Sequence, residues 1–380
     1  MMIADKYLCC CITQQEREEI ELEIADGKYA ALYRHQERFV KEKHGYRCTA
    51  CGAVHPYLRI EYEGTQIDPN VLSKPSGKVW KYKKAAEAYF ADRYYARNRK
   101  SLLKFEMDAE GNMHLTDETP VMGGVYHTRL SGEERYLATE TMSGTIGIVD
   151  IRTKELIAKK TKCGINGAFA FAQEEKLLYF YQNAIRCWDF LTGEEKVLWQ
   201  TPGPWNRTVC RHVTYNSRNC SHVFQLSACN EAYAVAVSGT AVAEPVQLPK
   251  MPVLSKLEYA EGLDCYTIAA SGEGIVFDGQ FGLVGTVPYP YLVKHSDGGG
   301  FFPVTRFGRE QPQCIFFSPD GKWILLDYFT AVILMKAEGY APKFCLFSYT
   351  GKTAQHMGFT DDGHFWYTWG DTTYVQELPR

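Results

Sequence analysis

Phe317-Ser318-Pro319-Asp320-Gly321-Lys322-Trp323-Ile324-Leu325-Leu326 places an apolar residue before a tight polar turn and an apolar strand after it. The same frame returns as LSGEERYLAT (Leu130 to Thr139), FAQEEKLLYF (Phe171 to Phe180), LSACNEAYAV (Leu226 to Val235), YAEGLDCYTI (Tyr259 to Ile268) and FTDDGHFWYT (Phe359 to Thr368). A frame repeated every ~20–50 residues marks a solenoid, a propeller or an array, because each copy is one unit that buries its apolar face only against its neighbours. The copies start at 130, 171, 226, 259, 317 and 359, so the spacing is uneven and loops are inserted between units, above all over residues 289–313.

The best-preserved units are Arg135 to Lys160 and Lys176 to Gln200. Asp150 and Asp189, Thr153 and Thr192, and Glu155 and Glu194 occupy matching places in the two. Each unit reads as strand, turn, strand ending in Asp, then a Thr-x-Glu turn into another strand. With the strand before the frame, that makes four short antiparallel strands. Cys187-Trp188-Asp189 followed by Thr192-Gly193-Glu194 resembles the strand-ending dipeptide and turn of the WD-repeat β-propeller family, and Ser318-Pro319-Asp320-Gly321-Lys322 resembles the turn after that family's innermost strand. The resemblance spans residues 102–380. It implies a mainly β fold, a propeller of six blades, or of seven if Met107 to Thr116 belongs to a further one. The family's Gly-His dipeptide is missing, so its His-Asp network is not carried over. Ser101 to Met107 is placed to complete the last blade and close the ring, which removes exposed sheet edges.

The chain divides at about residue 100. Residues 1–100 hold 18 Lys+Arg and 14 Asp+Glu, and the remaining 280 hold 24 and 31. The reading is an α-rich N-terminal module with a CxxC turn over 1–100 and a propeller over 101–380. Thr13 and Glu16 have capping-box spacing, which predicts a helix over 13–44 that Gly45 ends. A hairpin is expected at Tyr57 to Tyr62 and a second helix over 81–100.

The formal net charge of −3 gives no general affinity for nucleic acid. Lys74 to Lys100 is the exception, with nine basic residues and interleaved Tyr82, Tyr89, Phe90, Tyr94 and Tyr95. This is read as a helix docking its aromatic stripe on the propeller with its cations in water. No run is long and apolar enough for a membrane span, and the first residues lack a secretory apolar region. The 13 cysteines are scattered, several inside apolar strands, which fits reduced, buried thiols in a cytoplasmic protein better than a disulfide scaffold. Asn206-Arg207-Thr208 and Asn219-Cys220-Ser221 are glycosylation sequons that matter only in a secreted chain.

Cys48-Thr49-Ala50-Cys51-Gly52 with His55 is the sharpest local motif. Two thiolates three positions apart on a tight turn can share one tetrahedral zinc, with His55 as third ligand. The fourth is open among His44, His35, Cys9, Cys10 and Cys11. Such a zinc is structural rather than catalytic. Glu61 and Tyr62 stand where a zinc-ribbon nuclease would need histidines. The loop His295 to Phe302, with Asp297, Arg306 and Arg309, is the second candidate site, a ligand contact at the propeller mouth. Gly351-Lys352-Thr353 has Leu346 where a phosphate loop needs its first Gly, so it is a hairpin turn. No nucleophile elbow or metalloprotease motif occurs. The functional expectation is a non-catalytic scaffold for a protein partner. The alternative is an enzyme or small-ligand binder that uses the central channel, which needs acidic, His or Arg residues converging on it.

Overall fold

The computed structural model describes residues 9–379, except 27, 29–33, 43–44, 57, 63–64, 68–78, 84–86, 91–93, 98–99, 111, 164–166, 206, 250–254, 271–272, 295–308, 329–330, 348–353 and 371. The described chain is dominated by antiparallel sheets. Seven of them follow one another and are numbered here I (87–120), II (125–160), III (169–200), IV (209–248), V (258–288), VI (314–347) and VII (354–377). Sheets I to VI each have four strands laid down in chain order, and sheet IV adds a fifth. Sheet VII takes three strands from the C-terminal end, and its fourth is Val79–Lys83, which pairs antiparallel with Thr372–Glu377 in the register Val375 to Trp80.

The six successive interfaces from sheet I to sheet VII are apolar, as those between sandwiched sheets must be. Tyr95 and Leu102 of sheet I pack on Leu137 and Val149 of sheet II. Ile148 and Tyr136 meet Phe169 and Trp188 across sheets II and III. Ile185 meets Phe224 across III and IV, and Val223 meets Tyr266 across IV and V. Ala269 and Val287 meet Ile315 and Ile333 across V and VI, and Leu334 and Phe344 meet Phe365 and Tyr367 across VI and VII. The first strand of sheet VII, Ala354–Phe359, lies against the first strand of sheet I, Glu87–Phe90. The succession therefore returns to its start.

The repeated frame is a turn-capping device. In three of its six copies the second residue turns its hydroxyl back onto the main chain. Ser131 Oγ accepts the Tyr136 N–H at 3.0 Å, Ser318 Oγ accepts Trp323 N–H at 3.0 Å, and Thr360 Oγ1 accepts His364 N–H at 2.9 Å. A local hydroxyl–backbone bond of this kind stabilises a turn between two strands. The third strand carries a second device. Asp108, Asp150, Asp189 and Asp278 each follow or end it and accept backbone N–H groups from the next turn, at 2.6 Å from Asn112, 2.8 Å from Arg152, 2.9 Å from Thr192 and 2.8 Å from Gln280.

Several expectations are corrected. Residues 81–100 are not a helix: Val79–Lys83, Glu87–Phe90 and Tyr94–Arg97 are strands. Interleaved aromatic residues suit strands as well as a helix, because flat rings pack on a pleated surface. The strand that completes the last sheet is Val79–Lys83, whereas Ser101–Met107 is the third strand of sheet I. Met107 to Thr116 therefore spans the third hairpin of sheet I and is not a first-hairpin frame. Leu226 to Val235 sits on the second hairpin of sheet IV. The first helix is Gln14–Ala25, capped as predicted by reciprocal Thr13–Glu16 bonds of 2.7 and 3.2 Å. It does not reach 44, because Phe39–Lys41 pairs with Gly45–Cys48 as a strand. Leu58–Tyr62 pairs with Thr65–Ile67 as a hairpin and also with Tyr291–Lys294 of the long insertion. Buried Ile60 there joins the apolar cluster between sheets V and VI.

Glu195 of sheet III gathers Lys160 of sheet II, Tyr179 and Arg186. Burial raises its pKa, but the Lys160, Tyr179 and Arg186 bonds outweigh this and hold it at about 2. A depressed folded-state pKa contributes stability above the unfolded value and loses it as pH falls through the folded one. Glu195→Gln is expected to cost ~1–2 kcal/mol at pH 7, after discounting for partial exposure. The difference from the parent should shrink as pH drops from ~4.3 toward 2 in urea titrations. A pH-independent difference would show that the carboxylate charge is not what matters.

Candidate metal centre

Three short strands build the N-terminal knuckle: Phe39–Lys41, Gly45–Cys48 and Val54–Pro56. Between the last two the chain doubles back. Cys48 N–H bonds the Ala53 carbonyl at 2.8 Å and Gly52 N–H bonds the Cys48 carbonyl at 2.9 Å. Gly52 has φ +74°, a conformation glycine adopts without steric cost, with open space where a Cβ would stand. The turn aims amides at sulfur. Cys48 Sγ accepts the N–H groups of Cys51 and Ala50, which lowers its pKa, and Cys51 Sγ accepts the N–H of Ala53 and a bond from Cys9, which brings its pKa to about 6.

The segment Cys9 to Ile12 folds over this turn. It closes with an Ile12 N–H to Cys9 carbonyl bond of 3.0 Å. Two guanidinium groups pin it, with Arg17 Nη2 on the Cys9 and Ile12 carbonyls at 3.1 Å and Arg38 Nη1 on the Cys11 carbonyl at 3.0 Å. Cys9, Ile12 and Cys48 are buried together, with Cys11 and Phe39 packed against them. The sulfurs of Cys9, Cys10, Cys11 and Cys51 all lie within 4.8 Å of one another, and Cys9 and Cys51 are 3.5 Å apart. Cys48 Sγ lies within electrostatic reach of Cys9, Cys11 and Cys51 but is not among these four. Burial and the neighbouring sulfurs push Cys9 up to about 11, and bonds with Cys51 and Cys48 raise Cys11 further.

Five thiols thus lie close together, with Cys48 and Cys51 lowered by amide bonds to their sulfurs and Cys9 and Cys11 raised by burial and by their neighbours. Neighbouring thiolates repel one another, and a cation among them would remove that repulsion. The spacing is compatible with a single ion: four sulfurs at ~2.3 Å from a tetrahedral centre are ~3.8 Å apart. His55 is not among the four. It lies half-buried on the third knuckle strand, edge-on to Phe39 with ring centres 5.9 Å apart. His35 faces Glu16 and Glu37 instead. His44 lies outside the described residues.

Asp297 and Arg306 also lie outside the described residues, as do Gly351, Lys352 and Thr353. Arg309 is in the short strand Arg309–Glu310, which pairs with Tyr291–Lys294. The cysteines predicted inside strands are there: Cys265, Cys314 and Cys345 are buried, and Cys187 is half-buried.

One group of residues was not visible in the sequence. Arg129 and His212 belong to the first strands of sheets II and IV, and Lys256 and Glu258 stand at the first strand of sheet V. His212 Nε2 and Glu258 Oε1 are 3.2 Å apart. Burial raises the Glu258 pKa, but His212 and Lys256 bring it below the usual carboxylate range. Lys256 also lies within electrostatic reach of Arg129, Asp327 and Cys314. The innermost strands carry charge that no single sheet reveals.

No known family profile matches the chain, and no curated protein matches it. Solved structures do match in shape. The Kuenenia stuttgartiensis hydrazine synthase aligns at 11% identity and a TM-score of 0.54, covering 78% of this chain and 97% of that one. The Cps50 (Swd1) β-propeller domain of Myceliophteria thermophila aligns at 8% identity and a TM-score of 0.55, covering 79% and 98%. At such identities the likeness shows the fold alone. With the succession of packed four-stranded sheets, it defines this chain as a β-propeller, as the WD-like motifs implied. Among the described residues no helix is long and apolar enough to cross a membrane.

Proposed function

We propose that this chain is a β-propeller scaffold for a protein partner, closed as seven blades by Val79–Lys83, and that the knuckle before it is a structural zinc centre held by four of its five cysteines. Residues upstream of 79 are the accessory module in this reading. The observation that carries the scaffold role is a groove of about 470 Å³ at the rim of sheet II. Met122, Met142 and Leu156 line it, with Lys159 at its edge. Met142 is 71% exposed and Leu156 49%. Adaptable methionine surfaces flanked by polar residues suit a polypeptide ligand. Affinity capture from the native host, comparing the parent with Met142→Asp plus Leu156→Asp, is expected to lose a specific partner in the variant. Equal recovery with both would remove this face from the account.

Zinc supplies charge neutralisation and a cross-link between the Cys9 to Ile12 segment and the Cys48–Cys51 turn, which a segment this small needs to hold its shape. The second reading, a ligand or substrate site in the channel, draws on the His212–Glu258 pair with Lys256 and Arg129. Turnover of ester, phosphate or lactone substrates that Glu258→Gln abolishes would favour it over the scaffold.

A further inference from the structure

The cysteine cluster has one sulfur more than a tetrahedral ion can use, and two of its sulfurs, Cys9 and Cys51, are in van der Waals contact at 3.5 Å. Cys51 is exposed while Cys9 is 1% exposed. An oxidant arriving from solvent therefore meets Cys51 first and finds Cys9 directly behind it. We propose that Cys9 and Cys51 form a peroxide-oxidised disulfide site, in which the disulfide replaces the metal ion as the link between the N-terminal segment and the knuckle.

The chemistry balances in two steps. The Cys51 sulfur attacks one oxygen of hydrogen peroxide, the O–O bond breaks, and Cys51 becomes a sulfenic acid with release of one water. The Cys9 thiol sulfur then attacks the Cys51 sulfur, the S–O bond breaks, and a second water leaves. Overall two thiols and one peroxide give one disulfide and two waters. The sulfurs must close from 3.5 Å to the ~2.05 Å of a disulfide. The Cys9 segment is a short turn held by main-chain carbonyls on Arg17 and Arg38, so it can approach without disturbing a strand.

Ion and disulfide connect the same two segments, Cys9 to Ile12 and Cys48 to Cys51, with Cys9 and Cys51 themselves 42 residues apart in the chain. They compete for Cys51, so oxidation expels the metal while the module stays stapled. This competition rests on the metal reading; the disulfide itself does not.

The test uses the full chain loaded with zinc and treated with hydrogen peroxide. Zinc release is followed with a chromophoric chelator, and disulfides are mapped by mass spectrometry. The expected result is about one zinc released per chain in step with a Cys9–Cys51 disulfide, and recovery of zinc binding after a dithiol reductant. Cys51→Ser should abolish the disulfide, and Cys229→Ser, at an exposed thiol outside the cluster, should leave it intact. Cys9→Ser should leave Cys51 trapped as a sulfenic acid that a dimedone-type reagent labels, a readout that persists if zinc no longer binds. If zinc never binds but Cys9–Cys51 still forms, the metal reading fails and the oxidation site stands. If zinc binds and is lost to peroxide without this disulfide, or with another pairing, the oxidation site is wrong and the metal reading stands.

Discussion

A chain that begins at residue 101 is expected to aggregate or unfold without a cooperative transition, whereas one that begins at residue 79 keeps a cooperative transition at lower stability, having lost Ile60 from the cluster between sheets V and VI. Starting at 101 removes Val79–Lys83 from sheet VII and both Glu87–Phe90 and Tyr94–Arg97 from sheet I. Val375 then lies on an open edge, and Leu102 loses Tyr95, which shares its cluster with Leu137 and Val149. Open edges with apolar faces template association between chains. Three lost strands exceed what a net stability of ~5–15 kcal/mol tolerates. Urea unfolding followed by tryptophan fluorescence and size exclusion decides the outcome. A soluble 101–380 chain that melts with the parent would show that the ring closes elsewhere.

Cys48→Ser plus Cys51→Ser is expected to bring bound zinc from about one ion per chain to none. Limited proteolysis between residues 9 and 56 should accelerate by about an order of magnitude, because the free energy of metal binding is also folding free energy for a segment this small. The sheets should melt within a few degrees of the parent, since the knuckle's buried cluster, Cys9, Ile12 and Cys48, is separate from those between the sheets. Loss of the whole fold in this variant would mean that the knuckle supports the ring.

The propeller was legible because its turns are built locally. Ser131, Ser318 and Thr360 cap first hairpins within five residues of themselves, and Asp150 and Asp189 cap the third hairpins of their sheets in the same local way. Sheet I escaped because its first hairpin is embedded in the basic run from Lys74 to Lys100, whose spacing imitates a helix. Asp108 was the available signal: it stands 42 residues before Asp150, close to the 39 that separate Asp150 from Asp189, and it caps its turn in the same way. The closing strand had no such signal. Val79–Lys83 pairs with residues almost 300 positions away, and nothing local distinguishes it from Ser101–Met107.

The knuckle was half legible. The Cys48–Cys51 spacing showed the turn, but choosing its partners required the fold of Cys9 to Ile12, which depends on Arg17 and Arg38 reaching back to that segment's carbonyls. His55 was near in sequence and is turned toward Phe39 in space. The charges of Arg129, His212, Lys256 and Glu258 come from three sheets and converge only when the ring is assembled.

X-ray absorption at the zinc edge, on full-length protein purified without added metal, tests the metal centre most directly. Four sulfur neighbours at about 2.3 Å with no imidazole shell are predicted. A nitrogen shell from histidine, or a folded protein with no zinc at all, would contradict it.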